Sequence, residues 1–430
     1  MQTATTESIV GRGMCEGAAL FRDWFGELDA AAAGGVRAAY VFVMGSFAEL
    51  LRSFELPIVF PEINSLQTAV RKVAHEYLDA AEDFGYSPDI CGYVKADVGV
   101  QLGRGAHPMA RIPKPAVAVL TNACNTYIKW AEIWERVHHI PVVTIDVPGP
   151  RTRDDRGRGG HFADDVRFVT GQIEELIRVL EKVTGRAFDI DRLREAMASA
   201  NVLMRSWRQI IALNANRPAV FNALIEGTVY LGVANGLRGS ASGAIYFERL
   251  LEEMQYKAST GIGALADERY RLAFVGVPCY PIFRRFNDMF RERHGAFVAS
   301  TYLWFASGGA NYDFEYDLAS PVESLAEGVL LGSRAAMDAM FHQDRALEEM
   351  ADSHGLDAIV YHAIKSCRTV STGLVDARSA LAARRDLPSL FLESDMMDRR
   401  VVAEAQMKNR IDAFFEGLEA RHARHERSAR

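Results

Sequence analysis

Short, near-continuous apolar runs alternate along the chain with longer stretches of helical period. In the first half the runs are "RAAYVFVM" (37–44), "LPIVFP" (56–61), "AVAVLTNA" (116–123) and "IPVVTIDVP" (140–148). They are rich in β-branched residues, bounded by polar turns and apolar on both faces, as buried parallel strands are. Between them, 64–85 predicts one helix, with Asn64 or Ser65 as N-cap and Gly85 as its stop. From about 162 to 267 the pattern is almost wholly helical. Strand signals return in "YRLAFVGVP" (270–278), "AFVASTYLW" (296–304), "DAIVYHA" (357–363) and "LPSLFLES" (387–394), and a last amphipathic helix closes the chain from 399. The expected class is α/β, two parallel-sheet domains joined by a helical segment. The boundaries read as a helical extension over 1–35, a first α/β domain over 36–160, the helical segment over 161–267 and a second α/β domain over 268–430.

Composition changes this picture little. The chain has 430 residues, 49% hydrophobic and 24% charged, which is ordinary for a globular protein with real cores. No apolar run reaches the roughly 18–20 residues that span a bilayer. The first 25 residues lack a basic region followed by an apolar one, so a cytoplasmic location is expected. The net charge of −7 is spread along the chain, and the basic cluster "RTRDDRGRGG" (151–160) carries its own acids. A solvated loop fits it better than a nucleic-acid surface, and neither nucleic acid nor membrane is expected as a partner.

Candidate chemistry rests on the five cysteines, Cys15, Cys91, Cys124, Cys279 and Cys367. An odd number without a CxxC pair argues against a disulfide framework, a zinc ribbon or a local cluster motif. Any metal site must gather ligands from distant segments. In open α/β sheets, ligands bind beyond the carboxyl ends of strands. Cys124, Cys279 and Cys367 each follow a strand signal, and Cys91 lies in a loop after a long helix. A buried packing role is the ordinary fate of a cysteine. Against it, Cys124 sits among Thr121, Asn122, Asn125 and Thr126, and Cys367 among Lys365, Ser366 and Arg368, surroundings that favour thiolate. Residue reading alone leaves packing, nucleophile and ligand open.

Other motifs are weaker. "GLRGSASGAIY" (236–246) lacks the spacing of a phosphate loop, and no GxGxxG follows a strand. His138 and His139 end a helix and read as a charge device rather than a metal pair. Asp146, Glu393 and Asp395 end strands and suit caps or loop supports. The stretch "SGGANYDFEYD" (307–317) reads as a flexible loop suited to a lid.

Taken together, "IVFPEINSLQTAV" (58–70), "DICGYVKADVGVQL" (89–102), "LTNACNTYIKWAEIWERV" (120–137), "VYHAIKSCRTVSTG" (360–373) and "LFLESDMMDRR" (390–400) carry a resemblance. The chain resembles the benzoyl-CoA reductase and 2-hydroxyacyl-CoA dehydratase family, and within it the B subunits of the class I reductases. The resemblance covers nearly the whole chain, is weakest over 1–35 and 150–215, and is most specific around Cys124. It implies two flavodoxin-like (Rossmann-like) domains with a 4Fe–4S cluster between them. The cluster would be held by Cys91, Cys124 and Cys367, leaving its fourth iron for water or substrate; Cys15 and Cys279 match no ligand. It also implies a related, cluster-bearing C-type subunit, ATP-hydrolysing electron-activating subunits, a low-potential donor such as ferredoxin, and an aromatic acyl-CoA substrate reduced to a cyclic dienoyl-CoA. His362 and Tyr127 are the proton-donor candidates, with Tyr361 behind them; Lys129 and Arg368 are candidates for CoA phosphates or for tuning the cluster. Each has a structural reading beside the functional one. The competing readings are a 2-hydroxyacyl-CoA dehydratase subunit acting through a ketyl radical, a non-catalytic electron-conducting or scaffold subunit, and an unrelated α/β protein with core cysteines.

Overall fold

The computed structural model describes residues 9–150, 157–305, 313–341 and 343–428. It contains two four-stranded parallel sheets. The first is built from β1 (Ala38–Val41), β2 (Ile58–Val59), β3 (Pro115–Thr121) and β4 (Val142–Ile145) in the order β2-β1-β3-β4. The second is built from β5 (Tyr270–Val275), β6 (Gly295–Ser300), β7 (Ala358–Ile364) and β8 (Ser389–Ser394) in the order β6-β5-β7-β8. Each apolar run of the sequence contributes one strand. β5, β6 and β7 are buried along their whole length, as strands covered on both faces must be.

The two sheets share one topology, so the chain carries a structural repeat that its residues do not display. The order is the flavodoxin-like one, with a switch point between β1 and β3 and again between β5 and β7, where the connections leave on opposite sides. Four helices separate the sheets: Phe162–Thr184, Ile190–Leu213, Ile225–Gly236 and Ala241–Thr260. Two buried arginines fasten them. Arg271 in β5 donates to the carbonyl oxygens of Asn214, Asn216 and His354 and pairs with Glu268 at 2.6 Å. Arg238 pairs with Glu49 at 2.5 Å, and Tyr316 donates to the same carboxylate at 2.9 Å. A buried charge survives only with such a set of partners.

Three expectations change in detail. The helix expected over 64–85 is two, Pro61–Val70 and Ala74–Asp83, broken where Lys72 takes a left-handed φ of 66°. It starts at Pro61, whose fixed φ suits a first helical position. Ser65 is interior, and its hydroxyl donates to the Tyr93 carbonyl of a neighbouring helix instead of capping. The apolar run 296–304 leaves the sheet at Ser300, whose Oγ accepts from the Tyr302 amide and starts the short helix Thr301–Phe305. Periodicity cannot separate a short strand from a buried helical turn. The last helix runs Glu404–Ser428, after a single 3-10 turn at Arg399–Val401. Of the loop read as a lid, 307–312 lie outside the described residues; its remainder is anchored, with Phe314 and Tyr316 buried. Of the basic cluster, 151–156 also lie outside them.

The helices Gly92–Leu102 and Asn125–His138 are tied by Asp97, whose buried Oδ2 accepts from both Trp130 Nε1 and Trp134 Nε1 at 2.7 Å. Asp97→Ala leaves two buried indole N–H groups unpaired. It is expected to lower the unfolding free energy by about 3 kcal/mol, read from denaturant curves against the wild type. An unchanged midpoint would contradict the role given to Asp97.

Candidate functional site

The site forms where the carboxyl ends of both sheets meet. Cys124 lies three residues beyond the end of β3 and is the N-cap of the helix Asn125–His138. Cys367 lies three residues beyond the end of β7, the equivalent strand, and is the N-cap of Arg368–Ser371. Cys91 is the N-cap of Gly92–Leu102. None of the three side chains caps its own helix, and all three line one cavity of about 750 Å³. The structure therefore brings together residues from three distant segments and both sheets.

Direct contacts hold the halves of the site in register. The Gly92 amide donates to Ser366 Oγ at 3.3 Å, and Cys124 Sγ lies 3.7 Å from Thr369 Oγ1. A Cβ at Gly92 would stand 2.7 Å from the Cβ of Met397, so only glycine allows the Cys91 turn to approach this closely. Asp395, fully buried after β8, supports the other side. Its Oδ2 accepts from the Ser366 amide at 2.9 Å, and its Oδ1 accepts from the amides of Met397 (2.8 Å) and Asp398 (3.0 Å).

Burial pushes the Cys91 thiol well above its usual range, and Cys367 and Cys124 add to that as like charges. Cys367 is pushed up to about 11, again by burial first, with Cys124 and Asp395 also raising it. Burial thus favours the neutral thiol at both, for Cys367 the reverse of what its polar sequence neighbours suggested. As nucleophiles they are muted. Three mutually repelling thiolates become favourable only beside a strongly positive centre. Among the described residues no group of three or more His, Cys, Asp or Glu is arranged to hold a metal ion. A mononuclear site draws its sulfur ligands to about 2.3 Å from one ion. A donor set of three thiols around a wide cavity suits a polynuclear centre better.

The cavity also holds a carboxyl–phenol pair. Tyr127 Oη donates to Glu62 Oε1 at 2.5 Å, and Glu62 Oε2 accepts from the Val43 amide at 2.7 Å. Burial raises the Glu62 carboxyl to about 7, and the two hydrogen bonds only partly oppose it. Tyr127 is pushed far up by burial and by the Glu62 charge. Tyr302, also in the lining, is pushed up to about 12 by burial, with the Glu62 charge adding to it.

The remaining sequence candidates fall elsewhere. His362 is fully buried in β7 and does not line the cavity; the residue that does is Val277, whose carbonyl accepts from His362 Nδ1 at 2.7 Å. Its Nε2 is bonded to Ser394 Oγ at 2.6 Å, and burial lowers its basicity, so it is a neutral histidine with both nitrogens satisfied. Tyr361 is buried on the far side of β7 against Phe391. Lys129 and Arg368 are exposed at the cavity rim, Lys129 paired with Glu132 at 2.7 Å. Cys279 is buried beside Ser394 and is not in the lining, and Cys15 is exposed on the helix Arg12–Ala33.

A family model described as "2-hydroxyglutaryl-CoA dehydratase, D-component" matches residues 44–418. This chain belongs to that family. The benzoyl-CoA reductase B subunit of Thauera aromatica is 30% identical over 402 residues, covering 90% of each chain. The (R)-2-hydroxyisocaproyl-CoA dehydratase alpha subunit of Clostridioides difficile is 26% identical over 381 residues, 87% of this chain and 88% of its own. The (R)-2-hydroxyglutaryl-CoA dehydratase alpha subunit of Acidaminococcus fermentans is 23% identical, over 86% and 90%. The resemblance read from the cysteine-bearing motifs is thereby shown.

In this member of the 2-hydroxyglutaryl-CoA dehydratase D-component family, Glu62 is the cavity residue that residue reading passed over. It lies in "IVFPEINSL", three residues past β2, an acid in an otherwise apolar stretch. That isolation was the available signal. Its raised pKa has a thermodynamic consequence. Between its ordinary value of 4.5 and about 7, folded Glu62 keeps a proton that the unfolded chain has lost. Its contribution to stability is present below this window and is lost as pH rises through it. The stability difference between wild type and Glu62→Gln should therefore move against the wild type from pH 4.5 to 7 in denaturant titrations. A difference independent of pH would contradict the raised pKa.

Proposed function

We propose that this chain is the substrate-handling iron–sulfur subunit of an oxygen-sensitive, ATP-dependent aromatic acyl-CoA reductase of the benzoyl-CoA type. The observation that carries the reading is the convergence of Cys91, Cys124 and Cys367 from both sheets on one largely apolar cavity. The donor set fits a 4Fe–4S cluster with three thiolate ligands. Bound there, such a cluster supplies single electrons at low potential, and its fourth iron is left for water or substrate. The benzoyl-CoA reductase chain among the relatives supports this choice of reaction.

The overall reaction adds two electrons and two protons to the ring, giving a cyclic dienoyl-CoA. The chain's own residues bind the acyl group, exclude water and hold a proton. Val43, Met44, Ile63 and Leu66 give the cavity an apolar wall of the kind a benzoyl ring needs. Tyr127 Oη and Glu62 form the proton-holding pair, and a carboxyl titrating near 7 is suited to exchanging a proton at neutral pH. Tyr127 keeps the donor role suggested for it, and Glu62 replaces His362 as its companion. A related cluster-bearing subunit, ATP-hydrolysing activator subunits and a ferredoxin-like donor complete the system. Among the described residues no helix is long and apolar enough to cross a membrane.

Glu62 also favours a second reading. A carboxyl lining the same cavity as the thiols is suited to protonating a departing hydroxyl, as a 2-hydroxyacyl-CoA dehydratase requires, and the dehydratase alpha subunits among the relatives agree with that. Both readings need the same three ligands, so products decide between them. The complex, purified anaerobically with its partner subunits, ATP and reductant, should convert benzoyl-CoA to a cyclic diene and lose that activity in Cys124→Ser, with iron and acid-labile sulfide falling in parallel. Dehydration of a 2-hydroxyacyl-CoA without diene formation would establish the second reading. Equal iron in wild type and Cys124→Ser would overturn the ligand assignment.

A further inference from the structure

Two tyrosines stand in the wall between the thiol-lined cavity and a separate pocket beside it. Adjacent strands set them there. Tyr280 opens the 3-10 turn Tyr280–Ile282 beyond the end of β5, and Tyr302 lies in the helix Thr301–Phe305 that follows β6 directly. Thr301 Oγ1 accepts from the Gly276 amide at 3.3 Å, which ties the two strand exits together. Tyr280 Oη donates to Tyr302 Oη at 3.0 Å, and both side chains are buried.

This bond has a direction across the wall. Tyr302 lines the cavity that Glu62, Tyr127 and the three cysteines line. Tyr280 does not; it lines the outer pocket, of about 270 Å³, whose walls include the exposed Arg22 and Arg71. Tyr302 belongs to both linings. The donor thus stands on the outer side and the acceptor on the cavity side. Accepting from Tyr280 leaves Tyr302 its own proton for a different acceptor. The pair admits no ligand between the two spaces, yet joined hydroxyls pass protons without passing molecules.

The proposed reaction supplies the need. Each ring takes up two protons and Glu62 holds one, so the site must be refilled while the acyl group fills it and water is excluded. Burial pushes both phenols up, Tyr302 to about 12, and the Glu62 charge adds to each. The pair therefore stays protonated at neutral pH and is suited to passing a proton on, not to storing one.

We infer that Tyr280 and Tyr302 are the proton entry of this site, relaying protons from water in the outer pocket to the acyl cavity. In each transfer the Tyr302 O–H bond breaks as its proton goes to the reduced ring or to the emptied Glu62 carboxylate. Tyr302 takes the proton of Tyr280, and Tyr280 takes one from water, whose hydroxide passes to bulk solvent. Both tyrosines end as they began, and the electrons come from the low-potential donor of the proposed reaction. The inference rests on the reading of the cavity as a reductase site.

The test compares Tyr302→Phe, Tyr280→Phe and the double variant in the anaerobically purified complex with its partner subunits, ATP and reductant. Phenylalanine keeps each ring, and the double variant removes both partners of the bond, so neither of these two hydroxyls is left orphaned. In all three, kcat for diene formation should fall about ten- to a hundredfold, with a solvent deuterium isotope effect larger than the wild type's. KM for benzoyl-CoA, iron and acid-labile sulfide should stay near their wild-type values. The double variant should be no slower than Tyr302→Phe, because members of one relay fail as a unit. Wild-type kcat and isotope effect in any of the three variants overturn the relay and leave the functional reading standing. Losses that multiply in the double variant also overturn it, as does a fall in kcat that tracks iron with the isotope effect unchanged. If the wild-type complex dehydrates 2-hydroxyisocaproyl-CoA and forms no diene from benzoyl-CoA, the reductase reading falls, and the relay with it.

Discussion

The structure depends on one geometric constraint: two parallel sheets of identical strand order present their carboxyl ends to each other. Every chain segment that leaves those ends is delivered to one place. Cys124 and Cys367 occupy the same position relative to equivalent strands, and Cys91 arrives from a helix packed beside them. The bond from the Gly92 amide to Ser366 and the contact between Cys124 and Thr369 are the visible mark of that arrangement, since both need close approach across the two halves. Asp97 and Asp395 serve it from behind, each using a buried carboxylate to fix a turn or helix that carries a thiol.

The same burial sets the chemistry. Desolvation pushes Cys91 and Cys367 toward the neutral thiol and holds a proton on Glu62 near neutrality. The site is thus an apolar space in which negative charge is unwelcome until a positive centre is bound. That property suits electron and proton delivery to an acyl group, where water and stray charge compete with the reaction. It also explains why the three thiols make sense as a set and not singly.

Much of this was legible in the residues. All eight strands show as apolar runs, because strands covered on both faces leave little room for polar residues. The three cysteines could be placed at strand or loop ends, yet their convergence came only with the family resemblance, since no spacing rule links positions 91, 124 and 367. Strand order and the repeated topology were not legible, because pairing is not written in local pattern. His362 misled for a physical reason: a histidine in a strand can be satisfied entirely by a carbonyl and a serine, as Val277 and Ser394 do here. Glu62 was missed because an acid after a strand usually reads as a cap, and only its burial with Tyr127 sets it apart.

Mössbauer spectroscopy of the anaerobically purified, iron-57-enriched complex tests the central claim most directly. The proposed 4Fe–4S cluster with three cysteine ligands predicts that one of its irons differs from the other three, and that only its signal moves when a CoA thioester is added. Four equivalent irons that ignore the thioester, or iron in a mononuclear form, would contradict the account.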